Sequence, residues 1–239
     1  MKNAQPRVER GFTKLIIPCK NGGLVTSWPS KGPKTYSKVG NEVLNENLLL
    51  QTGYQTSLLA RVAYGREEPE FQDVKSIIYK SWLWVYQVNF WLPEKDKDSG
   101  MYSVYDFKAL GRNMKFNREE LEAKLEGAEV YEGVRFNRGK GVAFAPRSTI
   151  YLGQEKDWDK FAKNGLNVAI FTPEGAKNLA ELGRNNFSNG YGCGVSGNDS
   201  VETRVSALYG VLDSGGLGVS GDCWGDVGVG HAFGVRVAD

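Results

Sequence analysis

Residues 190–239 read GYGCGVSGNDSVETRVSALYGVLDSGGLGVSGDCWGDVGVGHAFGVRVAD, and this stretch decides the fold. Glycine-rich runs alternate in it with loops that mix Asp, Cys, Trp, Leu, Val and His. At its end, Phe233, Val235 and Val237 occupy every second position, which is typical of a strand with one buried face. A patterned last strand behind unpatterned loops indicates a rigid frame that displays a binding face.

The bulk composition fits a soluble globular protein. Hydrophobic residues make up 41% and charged residues 24% of the 239 residues, which is ordinary for a domain with a sizeable core. We predict one domain over residues 1–239. The net charge of +2 is unevenly distributed, since residues 188–239 hold two arginines and six acidic residues, a charge of −4. Nucleic-acid binding depends on Lys and Arg at phosphates, so this composition argues against a nucleic-acid partner.

The N-terminal sequence and the hydropathy pattern bear on location. Residues 1–12 lack the apolar core of a secretory signal. No stretch approaches the roughly eighteen apolar residues of a membrane helix. We expect synthesis in the cytoplasm without a signal peptide, no membrane insertion and, for a viral protein, a place in the virion or on the cell surface.

The first third of the chain is predicted to be mainly extended. Residues 1–45 are polar and turn-rich and predict an extended N-terminal arm, interrupted by a strand at 13–19. In 45–63 the pair Thr52-Gly53 interrupts the apolar spacing of a helix, which favours two strands, or a strand and a turn. Residues 76–92 alternate over a long stretch, which predicts one central strand, or a hairpin, whose aromatic side chains pack in the core on one face. The alternative is an aromatic platform for a sugar or base.

Four further segments have clear local signals. They are helices at 117–125, 157–163 and 172–182, and a hairpin or three short strands at 130–152. Asn117 and Thr172 are expected to cap their helices, and Pro173 suits a first helical position.

The residues suited to chemistry form no recognisable constellation. Gly192, Gly194 and Gly197 match a dinucleotide-binding spacing but lack the required strand before them and helix after them, so a role in backbone packing is favoured. His231 is the only histidine, which argues against a histidine metal cluster. The acidic residues of the tail match no calcium-loop spacing. We therefore expect no metal or other cofactor and no catalytic residues.

Cysteines and aromatic residues complete the candidate site. Cys193 and Cys223 either form a disulfide or are two free thiols, and the second alternative is favoured. Tyr191, Tyr209, Trp224 and His231 are residue types that anchor interfaces. A tail of varied residue types without catalytic groups predicts a recognition surface.

The segment 207–239 resembles the C-terminal end of C-type lectin-like domains in variable proteins of diversity-generating retroelements. Residues 234–238, GVRVA, are similar to the closing strand of that family, and ALY at 207–209 followed by DSG at 213–215 is similar to the preceding strand and turn. The resemblance implies an α+β C-type lectin-like fold with antiparallel sheets, a few short helices and many loops. It also implies a viral origin, phage or archaeal.

In that family an error-prone reverse transcriptase randomises adenines, mainly in asparagine codons, so that residues between fixed scaffold positions vary. The resemblance implies a variable ligand-binding region at 188–239. Its candidate ligand-binding residues are Tyr191, Cys193, Leu212, Asp213, Leu217, Val219, Asp222, Cys223, Trp224, Asp226, Val227, Val229 and His231. Adenine replacement in an asparagine codon ending in a pyrimidine does not produce Trp224, so a scaffold role is also implied for that residue.

The resemblance implies that the chain binds a protein or glycan on a host or target surface and does not catalyse a reaction. The sequence does not decide whether the chain forms oligomers in a virion. Two alternatives stand beside it. One is an enzyme, such as an oxidase similar to the formylglycine-generating enzymes, in which Cys193 and Cys223 would be redox or metal-binding thiols. The other is a structural virion protein whose tail packs against its neighbours.

Overall fold

The computed structural model describes residues 7–9, 14–19, 22–211 and 213–236. The helices in these ranges are α1 (Tyr36–Asn45), α2 (Gly53–Tyr64), α3 (Pro69–Lys80), α4 (Arg118–Lys124), α5 (Trp158–Lys163) and α6 (Gly165–Asn186), with 3₁₀ turns at Gly111–Asn113 and Arg147–Thr149. The strands are β1 (Arg7–Glu9), β2 (Lys14–Cys19), β3 (Gly22–Ser27), β4 (Lys31–Lys34), β5 (Leu49–Leu50), β6 (Trp82–Trp91), β7 (Gly100–Tyr105), β8 (Glu129–Tyr131), β9 (Val134–Asn137), β10 (Val142–Pro146), β11 (Gly153–Glu155), β12 (Gly190–Cys193), β13 (Glu202–Val211), β14 (Gly216–Cys223), β15 (Gly230–Ala232) and β16 (Gly234–Arg236). No helix within the described residues is long and apolar enough to cross a lipid bilayer.

The strands form two mainly antiparallel sheets. The smaller sheet has the order β1-β2-β3-β16-β5, and the larger has the order β11-β12-β14-β13-β6-β7-β10-β9-β8, with β15 joining β4 to β6 at its side. Only the β12–β14 and β6–β15 pairs are parallel among the described strands. Strand β6 lies in the middle of the larger sheet, between β13 and β7.

Apolar residues cover β6 on both faces. One face, including Leu83 and Val85, contributes to a first core that contains the apolar sides of α2, α3 and α6. The other face, including Trp84 and Tyr86, contributes to a second core that contains residues of α1 and α4. Nine of the ten β6 residues are buried, so the strand must be covered by helices on either side. The predicted core packing of the aromatic stripe is therefore confirmed for Trp84, Tyr86 and Phe90, whereas Trp82 at the start of the strand is half-buried.

The prediction of one strand over 76–92 is wrong at its start. Residues up to Lys80 belong to α3, which begins at Pro69 and has an acidic residue, Glu70, in its first turn. Val74, Ile77 and Ile78 are buried at the three- and four-residue spacing of a helix. The change from helix to strand occurs at Ser81, where the periodicity changes from 3.6 to two.

The prediction of strands over 45–63 is also wrong, because Thr52 and Gly53 begin a helix. The Thr52 hydroxyl accepts a hydrogen bond from the backbone N–H of Gln55, and the Gln55 side chain accepts one from the backbone N–H of Thr52. This is a capping box. A Cβ on Gly53 would lie 1.9 Å from the carbonyl oxygen of Ile170, so glycine is required where α2 meets α6.

The extended arm predicted for residues 1–45 needs the same correction within its described part. Residues 36–45 are helix α1, and β2 and β3 belong to the smaller sheet, where β3 pairs with β16. Leu15 and Ile17 are fully buried in the first core, which makes this segment part of the fold. The predicted strand at 13–19 corresponds to β2.

The capped helices and the closing strand agree with the sequence. Asn117 and Asp157 accept hydrogen bonds from the first turns of α4 and α5, and β8, β9 and β10 account for the predicted strands at 130–152. Phe233 and Val235 are buried, while Val237 lies outside the described residues. The predicted boundary at Thr172 is also present, because Thr172 has non-helical angles, φ 67° and ψ 166°, and regular helix resumes at Pro173 within α6. The Thr172 hydroxyl bonds to the Glu174 side chain and not to a backbone N–H.

Replacing Thr52 with Ala should lower the free energy of unfolding by about 1 kcal/mol, because the first turn of α2 loses its side-chain acceptor. Urea denaturation measures this change. Thr35→Ala is the matched control, since Thr35 precedes α1 without a side-chain cap hydrogen bond. Equal losses in the two variants would contradict a stabilising role for the capping box.

Candidate ligand-binding face

Part of the larger sheet presents an aromatic row that the helices leave partly exposed. Residues Tyr191 of β12, Gly218 of β14, Tyr209 of β13 and Trp82 of β6 are neighbours in the strand register. Residues paired in this way share one face of a sheet. Tyr191, Tyr209 and Trp82 are each half-buried, and we call these three residues the aromatic row.

Gly218 is necessary for the shape of this row. A Cβ at this position would lie 2.5 Å from Cζ of Tyr209, so the tyrosine ring occupies the space above the glycine. The Tyr209 hydroxyl thereby reaches the Cys193 sulfur at 3.1 Å. On its other side Tyr209 lies beside Trp82, with 6.3 Å between the ring centroids. Burial and the contact with Cys193 raise the pKa of Tyr209, so its hydroxyl stays protonated at neutral pH.

A small polar cluster continues the face along β14. The Ser220 hydroxyl donates to Oδ1 of Asp222 at 2.5 Å and lies 2.9 Å from the sulfur of Cys223. Cys193 and Cys223 are free thiols. Burial raises the pKa of Cys223 to about 12, and burial also raises the pKa of Cys193. Both side chains are therefore neutral thiols at physiological pH, which makes them weak nucleophiles.

The loop at 224–229, which follows β14, is fixed through its backbone. The carbonyl of Gly225 accepts a hydrogen bond from the backbone N–H of Tyr36 at 2.9 Å, and the carbonyl of Val229 accepts one from the Ser81 hydroxyl. Between these anchors Asp226 is exposed, and Val227 and Val229 are 40% and 42% exposed. The loop thus has a fixed path and outward-facing side chains.

Trp224 opens this loop between two arginines. Its ring lies 3.7 Å from the guanidinium of Arg204 and 4.0 Å from that of Arg112. The Arg204 guanidinium is fixed further by hydrogen bonds to Glu202 and to the carbonyl of Thr203. Cation–π contacts of this kind stabilise the ring position. Trp224 still exposes 49% of its surface, so its ring is held in place and remains accessible to solvent.

His231 lies beside the loop on β15, half-buried between β4 and β6. Its Nδ1 is 3.2 Å from the Ser30 hydroxyl. Burial lowers the pKa of His231 below its ordinary value, so the imidazole is neutral at pH 7. Within the described residues, no three His, Cys, Asp or Glu side chains are grouped closely enough to hold a metal ion.

The predicted ligand-binding residues that the structure describes fall into three groups, exposed, half-buried and buried. Five are exposed: Asp213, Trp224, Asp226, Val227 and Val229. Four are half-buried on the face or beside it: Tyr191, Cys193, Asp222 and His231. Asp213 lies in the turn before β14, whereas Trp224 follows the end of that strand, so these two belong to opposite ends of the sheet. Leu212 lies outside the described residues.

The remaining three predictions need correction. Leu217 and Val219 are fully buried in the first core, and Cys223 is buried in the second, so none of the three is available to a ligand. In β14, Leu217 and Val219 alternate with Gly218 and Ser220. This alternation is typical of a strand with one buried face, so the sequence could have identified Leu217 and Val219 as core residues.

Trp82, Arg112 and Arg204 were absent from the predicted site. Trp82 begins the aromatic stripe of β6, whose alternation placed it in the core. Arg112 belongs to a 3₁₀ turn far from the tail in sequence, and it reaches Trp224 only through the tertiary fold. No local pattern could have identified it.

This chain is similar to a solved structure described as "Accommodation of massive sequence variation in Nanoarchaeota by the C-type lectin fold". The similarity covers 87% of this chain and 98% of the other, with a TM-score of 0.51 and 11% sequence identity. At that identity the similarity shows the fold, and the prediction of an α+β C-type lectin fold is confirmed. No protein-family model matches the chain, and no curated protein matches it.

Replacing Gly218 with Ala should displace the Tyr209 ring and lower the free energy of unfolding by about 1–3 kcal/mol, since overpacked sites relax only in part. Chemical denaturation gives this value, and the chemical shift of the Tyr209 ring reports the displacement. Gly228→Ala is the control, because a Cβ there meets no atom within 4 Å. An unshifted Tyr209 ring in the Gly218 variant would show that the glycine does not determine the face.

Proposed function

We propose that this protein binds a ligand through the aromatic row and the loop at 224–229, using the C-type lectin fold as a scaffold for variable side chains. The observation that carries the proposal is the separation of backbone from side chains in this loop. Its carbonyls at Gly225 and Val229 are held by α1 and by Ser81, while Asp226, Val227 and Val229 face solvent. Substitutions at such positions usually change stability by no more than about 0.5 kcal/mol.

The sequence of the tail supports diversification by a retroelement as the source of this variation. Asp222, Asp226, Val227 and Val229 have the residue types expected between fixed positions in that family, and all four are at least partly exposed. Residues 234–238 are similar to the family's closing strand, and their described part, 234–236, lies between β3 and β5. The similar Nanoarchaeota structure is described in terms of massive sequence variation, which favours the same proposal for this chain.

The proposed partner is a protein or glycan on a host or target surface, with the chain located on a virion or cell. Aromatic side chains suit this role, because they supply contact area at a small cost in conformational entropy. A single small face gives modest affinity, so several copies in one particle would strengthen binding.

Catalysis through the two cysteines has less support. A thiol acts as a nucleophile or metal ligand in its thiolate form, and burial raises the pKa of both Cys193 and Cys223. The exposed apolar residues Trp224, Val227 and Val229 suit a contact with another molecule, either a ligand or a neighbouring subunit.

A displayed library tests whether the loop tolerates variation. Randomising Asp222, Asp226, Val227 and Val229 together should leave most variants folded by protease resistance, with binders recoverable against a test protein such as lysozyme. The matched control library randomises Leu217, Val219 and Cys223, which are buried, and most of its members should unfold. Equal loss of folded clones from the two libraries would refute the proposal.

The retroelement mechanism is tested in the DNA around the gene. We expect a near-copy of the segment that encodes residues 207–239, differing almost only at adenines and adjacent to a reverse-transcriptase gene. Deep sequencing of a population should then find variants at the codons of Asp222 and Asp226. Invariant codons and the lack of a second copy would remove diversification and leave a fixed binding face.

A further inference from the structure

A cavity of about 230 Å³ lies away from the proposed binding face, between α2, α6 and the larger sheet. Its lining residues come from the start of α2, from β6, β7, β9 and β10, and from the part of α6 before Pro173. None of these lining residues belongs to 188–239. An apolar cavity of about 150 Å³ is large enough to hold benzene, so this one has room for a substituted ring.

The wall of the cavity is mainly apolar, and two buried polar side chains lie next to each other in it. Phe136, Val142 and Ile170 contribute apolar surface. Gln87 and Ser103 lie among them and are only 8% and 1% exposed. The Ser103 hydroxyl donates to Oε1 of Gln87 at 3.4 Å, which is a long hydrogen bond. A primary amide has both donor and acceptor groups, so a ligand can form hydrogen bonds of either kind there.

The interruption of α6 leaves one backbone carbonyl, that of Ala169, without its usual helical hydrogen bond. Pro173 has no N–H group, so the carbonyl of Ala169 cannot receive the usual hydrogen bond from four residues ahead. Ala169 lines the cavity, as does Thr172. The backbone of Thr172 lies at φ 67° and ψ 166°, a conformation that is strained for a residue with a side chain. Backbone strain of this kind is concentrated at ligand-binding sites, which favours a binding role for this cavity.

The rim of the cavity is fixed by a chain of polar contacts from Thr172. The Thr172 hydroxyl donates to Oε2 of Glu174 at 3.3 Å. Glu174 in turn receives two hydrogen bonds from the guanidinium of Arg138, at 2.7 and 3.0 Å. Arg138 also lies 5.1 Å from the centroid of the Phe136 ring in the cavity wall. The strained residue and the rim therefore form one connected unit.

We propose that this cavity is a binding site for a small uncharged molecule that has one aromatic ring and an amide-like polar edge. The ring occupies the apolar part of the wall, and the polar edge forms hydrogen bonds with Gln87, Ser103 and the carbonyl of Ala169. A full charge is disfavoured, because Arg138 and Glu174 at the rim already neutralise each other.

Titration with benzamide, followed by ¹⁵N NMR on the full chain, tests the site. We expect saturable shifts at the amides of Ser103, Ala143 and Ala169. Ala143→Leu and Ala169→Leu each place a larger side chain in the cavity, from two different walls. Each should weaken benzamide binding by about tenfold or more, because the ligand loses apolar contact with the wall. The spectrum of each variant shows whether it folds, so one folded variant suffices.

Two comparisons distinguish a polar binding site from an empty packing void. One compares toluene with benzamide, and the other compares Ser103→Ala with Ser206→Ala. Ser103→Ala should weaken benzamide binding about fivefold and leave toluene binding unchanged, since only benzamide uses the hydroxyl. Ser206→Ala is the matched control, because Ser206 is a buried serine of the same sheet that bonds to Asn89 outside the cavity. The proposal is overturned if benzamide causes no saturable shift, if toluene binds and benzamide does not, or if filling the cavity leaves binding intact.

Discussion

The pairing of β6 with β13 is the contact on which the rest of this structure depends. It runs over nearly the full length of both strands, and most of the paired residues are buried, with the half-buried Trp82 and Tyr209 at one end. A strand pair of this kind is stable only when helices cover it on two sides, and α2, α3 and α6 do so on one side, with α1 on the other. The aromatic row lies beside this second core, with the Trp82 ring centroid 5.5 Å from that of Trp84.

Rigidity under the proposed binding face follows from the position of β14. This strand lies between β12 and β13, so its backbone is bonded on both sides. Leu217 and Val219 fix it to α6, and the loop that follows is held at Gly225 and Val229. The side chains that face solvent therefore have little part in holding the backbone, which separates folding from recognition within one short segment.

The elements that could be predicted from the sequence are those determined by interactions between residues close together in the chain. Asn117 and Asp157 cap their helices through bonds only two or three residues long, and the last strand alternates in a plain way. The prediction of strands around Thr52 was wrong because a residue that interrupts an apolar pattern can also begin a helix. Its capping partner, Gln55, is polar and so does not contribute to the apolar pattern. The stacking of Trp224 between Arg112 and Arg204 joins segments distant in sequence, so no window of the sequence contains it.

The smaller sheet has a consequence for how the chain is made. Strands β3 and β5 do not touch each other, because β16 lies between them. On the ribosome both emerge long before β16 is synthesised, and until then each has an unpaired edge. Closing this sheet requires contacts between distant parts of the chain, which is slow and leaves strands open to wrong partners.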